Sequence, residues 1–327
     1  MGAMNAAVVE RPGELPRART IERPEPAPGH ALVEVAYSSL NPLEIRLAAG
    51  LVGGPPEVPY IPGVEGVGTV VDGPDAGSLV RFECPLPGHG SNGALAELAL
   101  ADPESVHPLP DGADPALAAA LGVVGVTAAL ALEAGAPVEG ARVAVLGASG
   151  SVGKLAVQLA RLRGAARVVA AGRDRAQLER TRELGAAEVV ELRDGDDRDS
   201  IAAALRDAAG GALDLVIDPL WGVPGAAAAS ALADGGRAVN VGQAAGSGEP
   251  PPLHELRIRG ASLIGVSSGW TAMERKRAVY GSLIEAVNAG ELTVDREVVP
   301  LPEVAAAWER QRGSPHVKLV IQIEGAA

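Results

Sequence analysis

Arg142-Val-Ala-Val-Leu-Gly-Ala-Ser-Gly-Ser-Val-Gly153 decides the fold. Five residues with an apolar run read as a strand, and a glycine-rich turn follows at once. From Val152 to Arg163 the apolar positions then recur with helical spacing. Strand, glycine turn and helix in that order is what a dinucleotide pyrophosphate needs. Gly150 lets the backbone approach the phosphates, Gly153 lets the helix lie close to the sheet, and the helix N-terminus offers N–H groups and positive dipole. Ala148 stands where the strict fingerprint has its first glycine, and a small residue is able to fill that turn. Ala148, Ser149, Gly150, Val152 and Gly153 are therefore the expected phosphate cradle.

Downstream the alternation continues. Strands are expected at Arg167–Ala171, Glu188–Leu192, Leu213–Ile217, Arg237–Val241 and Ser262–Val266. Helices are expected at Arg175–Leu184, Ser200–Ala209 and Pro224–Leu232. This pattern predicts a doubly wound parallel sheet, an α/β Rossmann domain. The second strand ends at Gly172-Arg173-Asp174-Arg175. A site selective for NAD usually has Asp or Glu at the strand end for the ribose hydroxyls. Here Gly172 is followed by Arg173, whose guanidinium suits a 2′-phosphate. NADPH is expected over NADH, with Gly172, Arg173 and Arg175 lining that end. Asp174 is open to two roles, helix cap or ribose partner.

Upstream the texture differs. Short β-type runs at Ala31–Tyr37, Gly66–Val71, Leu79–Phe82 and Ala94–Ala99 are separated by Pro and Gly turns. Asp114-Pro115 is a helix start, and Gly122 and Gly125 interrupt the Ala-rich stretch that follows. After Gly290 short strands return at Glu297–Val299 and Lys318–Ile323, around a helix from Leu301 to Arg312. The expected partition is 1–118 with 292–327 as a β domain and 119–291 as the cofactor domain.

Composition narrows the function. Formal net charge is −13, which disfavours nucleic acid and anionic lipid. Aromatics are 2%, so stacked-base recognition is poorly provided for, and the core must come from Ala, Val, Leu and Ile. The single cysteine, Cys84, excludes an intramolecular disulfide and reads as a buried small hydrophobe. None of the five histidines has metal spacing with another. No signal peptide is expected at Met1–Met4, and no apolar run of membrane-spanning length free of Gly and Pro breaks, so a cytoplasmic location is expected.

Several segments in this order and spacing carry a family likeness: Asn41-Pro-Leu-Glu44, Tyr60-Ile-Pro-Gly-Val-Glu-Gly-Val-Gly68, Gly93-Ala-Leu-Ala-Glu97, Pro108-Leu-Pro-Asp-Gly112, Thr127-Ala-Ala-Leu-Ala-Leu132, the glycine turn, Arg182-Glu-Leu-Gly-Ala186 and Val216-Ile-Asp218. With them the chain resembles the medium-chain dehydrogenase/reductase superfamily, in its zinc-free quinone-oxidoreductase branch. The resemblance implies a GroES-like β-barrel domain made from both chain ends with the Rossmann domain inserted, a cofactor cleft between the two, and a homodimer. It places Asn41 and Thr127 near the nicotinamide half and Arg312 near the 2′-phosphate. Zinc-dependent relatives carry a first-domain Cys, a His-Glu pair and a four-Cys lobe. Here Ser38, Ser39 and Asn41 occupy the first region and Val64-Glu65 the second, and no Cys lobe exists, so no metal is expected.

Without a metal nothing polarises a simple carbonyl strongly. The expected acceptor is a small molecule that is already electron-poor, a quinone or an α,β-unsaturated carbonyl, whose developing negative charge hydrogen-bond donors stabilise. Relatives often carry a Tyr a few residues after the Asn. This chain has none there, and Glu44 and Arg46 are the replacement candidates beside Asn41, with Tyr60 either a donor or packed against Pro59 and Pro62. Trp221 is open to walling the cofactor site or joining the core. The expected activity is NADPH-dependent reduction of such acceptors. An enoyl reductase of a biosynthetic pathway and a non-catalytic NADPH-binding sensor are the alternatives.

Overall fold

The computed structural model describes residues 2–84 and 86–323, in two compact units. One takes the residues through Val123 and again from Val294; the other is Val124–Thr293.

The first unit opens with strands β1 (Ala3–Val8) and β2 (Arg17–Glu22), which pair with each other. Strand β3 (Ala31–Ser39), helix α1 (Pro42–Ala48), β4 (Glu65–Asp72), β5 (Leu79–Glu83), β6 (Leu98–Ala101) and β7 (His107–Pro108) follow. Helix α2 (Pro115–Ala134) crosses the boundary between the units.

In the second unit β8 (Arg142–Leu146), α3 (Ser151–Leu162), β9 (Arg167–Gly172), α4 (Arg175–Arg180), β10 (Glu188–Glu191), α5 (Arg198–Ala209), β11 (Leu213–Asp218), α6 (Gly222–Ser230) and β12 (Leu232–Asn240) alternate. Helix α7 (Leu253–Arg259), β13 (Ser262–Gly265) and α8 (Met273–Asn288) complete it. The chain then returns to the first unit as β14 (Arg296–Pro300), α9 (Val304–Arg312) and β15 (Lys318–Gln322).

The second unit's six strands are all parallel, in the order β10-β9-β8-β11-β12-β13. This is the doubly wound order whose direction reverses between β8 and β11, and ligands bind beyond the strand C-termini at that reversal. The strands run apolar because both faces are covered. Their core is small-residue, with Ala227, Ala228 and Ala229 of α6 packed beside Leu213, Val216 and Leu205.

In the first unit the path β14-β15-β3-β4-β5-β7, with β6 on β3, gives a seven-stranded sheet that is antiparallel except where β14 meets β15. Its core mixes aliphatics with Phe82 and Trp308, both fully buried, and takes in Cys84, whose thiol burial pushes up to about 12. The expected strand at Ala94–Ala99 forms instead at Leu98–Ala101. The preceding residues bond to β1, with Ala7 N–H donating to Leu95 O and Glu97 N–H to Asn5 O.

One further expectation needs correction. Helix α4 stops at Arg180 rather than Leu184, and a series of turns through Gly185 follows. Helix α2, interrupted by Gly122 and Gly125, is long and apolar enough by length and composition to cross a membrane, and 78% of its most apolar window is buried inside the protein. Gly122 kinks this helix (φ −31°, ψ −112°). A Cβ there would overlap the Glu65 carboxylate, so only glycine fits.

Candidate functional site

The glycine turn joins β8 to α3 at the reversal point. Gly147 adopts φ +56°, a left-handed conformation, and its carbonyl accepts from Gly150 N–H at 3.0 Å. Gly150 is the N-cap of the twelve-residue α3, and the first N–H groups of a helix have no intrahelical partner. A Cβ on Gly153 would overlap Gly147 O and the Ala148 backbone, so that glycine sets how closely α3 meets the turn. A Cβ on Gly150 would meet only Gly147 O at 3.4 Å. Packing does not demand glycine there, and what its missing side chain preserves is open space above the turn. Val152 is half-buried on the first turn of α3; Ala148 and Ser149 are buried beneath it.

At the end of β9 a Cβ on Gly172 would come within van der Waals reach of Ser149 Oγ and Leu178. Asp174 caps α4, accepting from Gln177 N–H at 3.0 Å through one carboxylate oxygen. Arg175 pairs with Glu179 at 2.6 Å. Arg173 is exposed, and among the described residues its guanidinium makes no ion pair or hydrogen bond. Arg312, on α9 of the first unit, pairs with Glu309 at 2.8 Å. Thr127 is half-buried on α2.

Across the reversal point β11 ends at Asp218. Its carboxylate is 1% exposed and accepts from Leu220 N–H, Trp221 N–H and Asn240 Nδ2, each at 2.8 Å. Burial raises its pKa. Leu220 and Pro219 are the side chains that a Cβ on Gly147 would touch, so this turn borders the glycine turn directly. Trp221 holds φ +49° while its indole N–H donates to Glu249 O at 3.0 Å. It is half-buried as the N-cap residue of α6, on the rim of the strand C-termini rather than in the core.

The first unit contains a second polar assembly, almost entirely buried. Asn41 is the N-cap of α1, Pro42 starts the helix, and Glu44 at the third position accepts from Asn41 N–H at 2.8 Å, a capping box. Glu44 also accepts from Val64 N–H at 3.2 Å. The Asn41 amide donates to Ser39 O and Glu65 Oε1, at 3.3 and 3.2 Å, and its Oδ1 accepts from the ammonium of Lys318 on β15. Lys318 also donates to Leu40 O at 3.0 Å and lies 3.9 Å from Glu65. Glu65 accepts from Ser39 Oγ at 2.6 Å, from Arg81 at 3.1 Å, and from Val123 N–H at 2.7 Å, a group freed by the kink at Gly122. Arg81 reaches Glu83 as well, at 2.8 Å.

Every polar atom of Asn41 is thus committed inside the protein, at 2% exposure, and Glu44 is 1% exposed. Neither has a group left for direct contact with a nicotinamide or substrate, which was the role expected of them. Of that expected trio only Arg46 remains available. It is half-buried on α1, and among the described residues its guanidinium has no hydrogen bond or ion pair. Burial raises the Glu44 pKa to about 7, and it depresses that of Lys318 against the opposing pull of Glu65 and Glu44. Tyr60 is 4% exposed, its hydroxyl has no partner among the described residues, and burial together with the Glu44 charge holds the phenol up at about 12.

Glu65, Arg81 and Lys318 have no part in the sequence-based expectation of the site. The available signal was a charge in an apolar strand, Arg81 within Leu79-Val-Arg-Phe and Lys318 before Leu-Val-Ile. Such residues are almost never fully buried unless paired.

Comparison with known proteins agrees with this architecture. Residues 27–111 match a family model for the alcohol dehydrogenase GroES-like domain, and residues 151–281 match one for zinc-binding dehydrogenase. A putative quinone oxidoreductase, YhfP, of Bacillus subtilis is 31% identical over 82% of this chain and 82% of its own. The quinone oxidoreductase of Homo sapiens is 30% identical over 88% of this chain and 86% of its own. The crystal structure of an alcohol dehydrogenase superfamily protein from Novosphingobium aromaticivorans superposes with a TM-score of 0.82 at 28% identity, covering 98% of this chain and 100% of that one. The chain belongs to the medium-chain dehydrogenase/reductase superfamily, in its quinone-oxidoreductase-like branch.

One matching family is described by zinc, but the residues here do not fit that metal. Both Glu65 oxygens are engaged by Ser39, Asn41, Arg81 and Val123, and two protein cations already face it. Among the described residues no three His, Cys, Asp or Glu side chains gather as a ligand set.

Proposed function

We propose that this protein is an NADPH-dependent, zinc-independent oxidoreductase that passes hydride to a quinone or an α,β-unsaturated carbonyl. The observation that carries the cofactor assignment is the unpaired, exposed Arg173 directly after β9, with the neighbouring Asp174 capping α4. The N-terminus of α3 and the open space at Gly150 would hold the pyrophosphate, and Arg173 the 2′-phosphate. Bound NADPH supplies the hydride. The protein orients the cofactor and acceptor, and Arg46 donates hydrogen bonds to oxygen as charge develops on it. Asn41 and Glu44 act behind Arg46 by fixing α1.

Removing a charge-assisted bond costs on the order of 1.5–3 kcal/mol. Arg173→Ala should therefore weaken NADPH binding by roughly tenfold to a hundredfold and leave NADH nearly unchanged. Titration of the protein's fluorescence with each cofactor measures this. Equal losses for both would show that Arg173 does not read the phosphate.

The same reading includes a homodimer. Strand β13 forms the outer edge of the second unit's sheet, with Ser262, Leu263 and Gly265 exposed along it. Nearby in sequence, Ile258 is 63% exposed and Trp270 93%. An unprotected edge with apolar neighbours invites pairing with a second copy. Sedimentation should give twice the 32.9 kDa chain mass, and Leu263→Arg should shift it toward the monomer. A monomeric wild-type protein would refute the dimer.

A further inference from the structure

We propose that Lys318 is a positioning residue: through its bond to Asn41 it fixes the first turn of α1 and so the direction in which Arg46 is presented. The inference rests on the function proposed above. A fully buried ammonium is costly, and persists where specific acceptors hold it. Here the acceptors are Leu40 O and Asn41 Oδ1, successive residues at the entry to α1. Lys318 sits on β15, whose neighbour β3 ends at Ser39, so the sheet itself supplies the anchor. With Oδ1 held by the ammonium, the Asn41 amide nitrogen is forced toward Ser39 O and Glu65. The Asn41 backbone N–H is held by Glu44. Both ends of the cap are therefore tied, one to a strand 277 residues away and one to the helix itself. Arg46 follows on the next turn, with nothing among the described residues gripping its guanidinium. Its aim is set by its backbone, and its backbone is set by the cap.

The charged and titratable groups around this cap are Lys318 from β15, Glu65 from β4, Arg81 and Glu83 from β5, Glu44 from α1 itself and Tyr60 from the segment before β4. Helix α9 packs on α1, while its Arg310 and Arg312 are taken up by Glu297 and Glu309. Lys318 is the member of this set that contacts the cap side chain as a cation.

The test is a double-mutant cycle with Lys318→Met and Asn41→Leu, using NADPH and one acceptor that the wild-type protein reduces. Lys318→Met should lower kcat by about thirtyfold or more and change the NADPH Kd by less than twofold. The double variant should be no slower than Asn41→Leu alone, because both changes remove the same constraint. Effects that multiply, or a folded Lys318→Met with kcat within threefold of wild type, would overturn the proposal. Should Lys318→Met not fold, Lys318→Arg keeps the charge but not the geometry and carries the same expectation, a kcat loss at unchanged NADPH Kd. Unaltered kcat in that variant refutes the inference. A wild-type protein that binds NADPH but reduces no acceptor would instead refute the function on which the inference rests.

Discussion

Replacing Glu65 with alanine is expected to destabilise the first unit by about 3–5 kcal/mol, the usual cost of removing one partner from a buried ion pair. Its side chain has no exposure, and its carboxylate faces Arg81, equally buried, at 3.1 Å. The substitution takes one carboxylate partner from Arg81, takes the nearby Glu65 charge from Lys318, and strips the acceptor from Val123 N–H at the kink of α2. The unmet N–H alone costs about 1–3 kcal/mol. Urea unfolding followed by circular dichroism reads the change as a lower midpoint at constant slope. A loss below about 1 kcal/mol would mean that the assembly is solvated and that its charges are not what holds β4, β5 and α2 together. The result also tests whether this position anchors the kink of α2.

Arg46→Ala is expected to lower turnover by about a hundredfold, the scale seen when a donor to a developing oxyanion is lost. The NADPH Kd should change by less than twofold, since the phosphate-binding groups are assigned to the other unit. A role confined to the transition state lowers kcat and kcat/KM together. Arg46→Lys should recover part of the rate, as it keeps the charge and loses the paired geometry. A nearly silent alanine variant would identify Arg46 as an ordinary surface residue and remove it from the mechanism.

The two units were unequally legible in the sequence, for physical reasons. Strand Arg142–Leu146 appears with the expected ends because a strand covered on both faces must be apolar throughout and the glycine turn stops it sharply. In the first unit, helix α1 is absent from the elements expected from the sequence. The Asn-Pro-Leu-Glu spacing is nonetheless a capping box with proline at the first helical position, a local signal sufficient to reveal it. Helix α8 went unread since its first turns carry Glu274, Arg275, Lys276 and Arg277, which blur the apolar stripe. The buried polar assembly was out of reach for a different reason. Hydrophobic patterning treats a charge as a mark of exposure, and the partners that bury these charges come from far along the chain. Glu65 meets Val123 58 residues on, and Asn41 meets Lys318 277 residues on. Such pairings belong to the tertiary fold, and no window of sequence contains both members.

The most direct test of the central claim is steady-state oxidation of NADPH by the purified protein with a panel of quinones and α,β-unsaturated carbonyls, run with and without a zinc chelator. The account predicts turnover with at least one such acceptor, unchanged by the chelator, and no measurable oxidation of simple alcohols with NADP⁺. Efficient alcohol oxidation that the chelator abolishes and added zinc restores would contradict it.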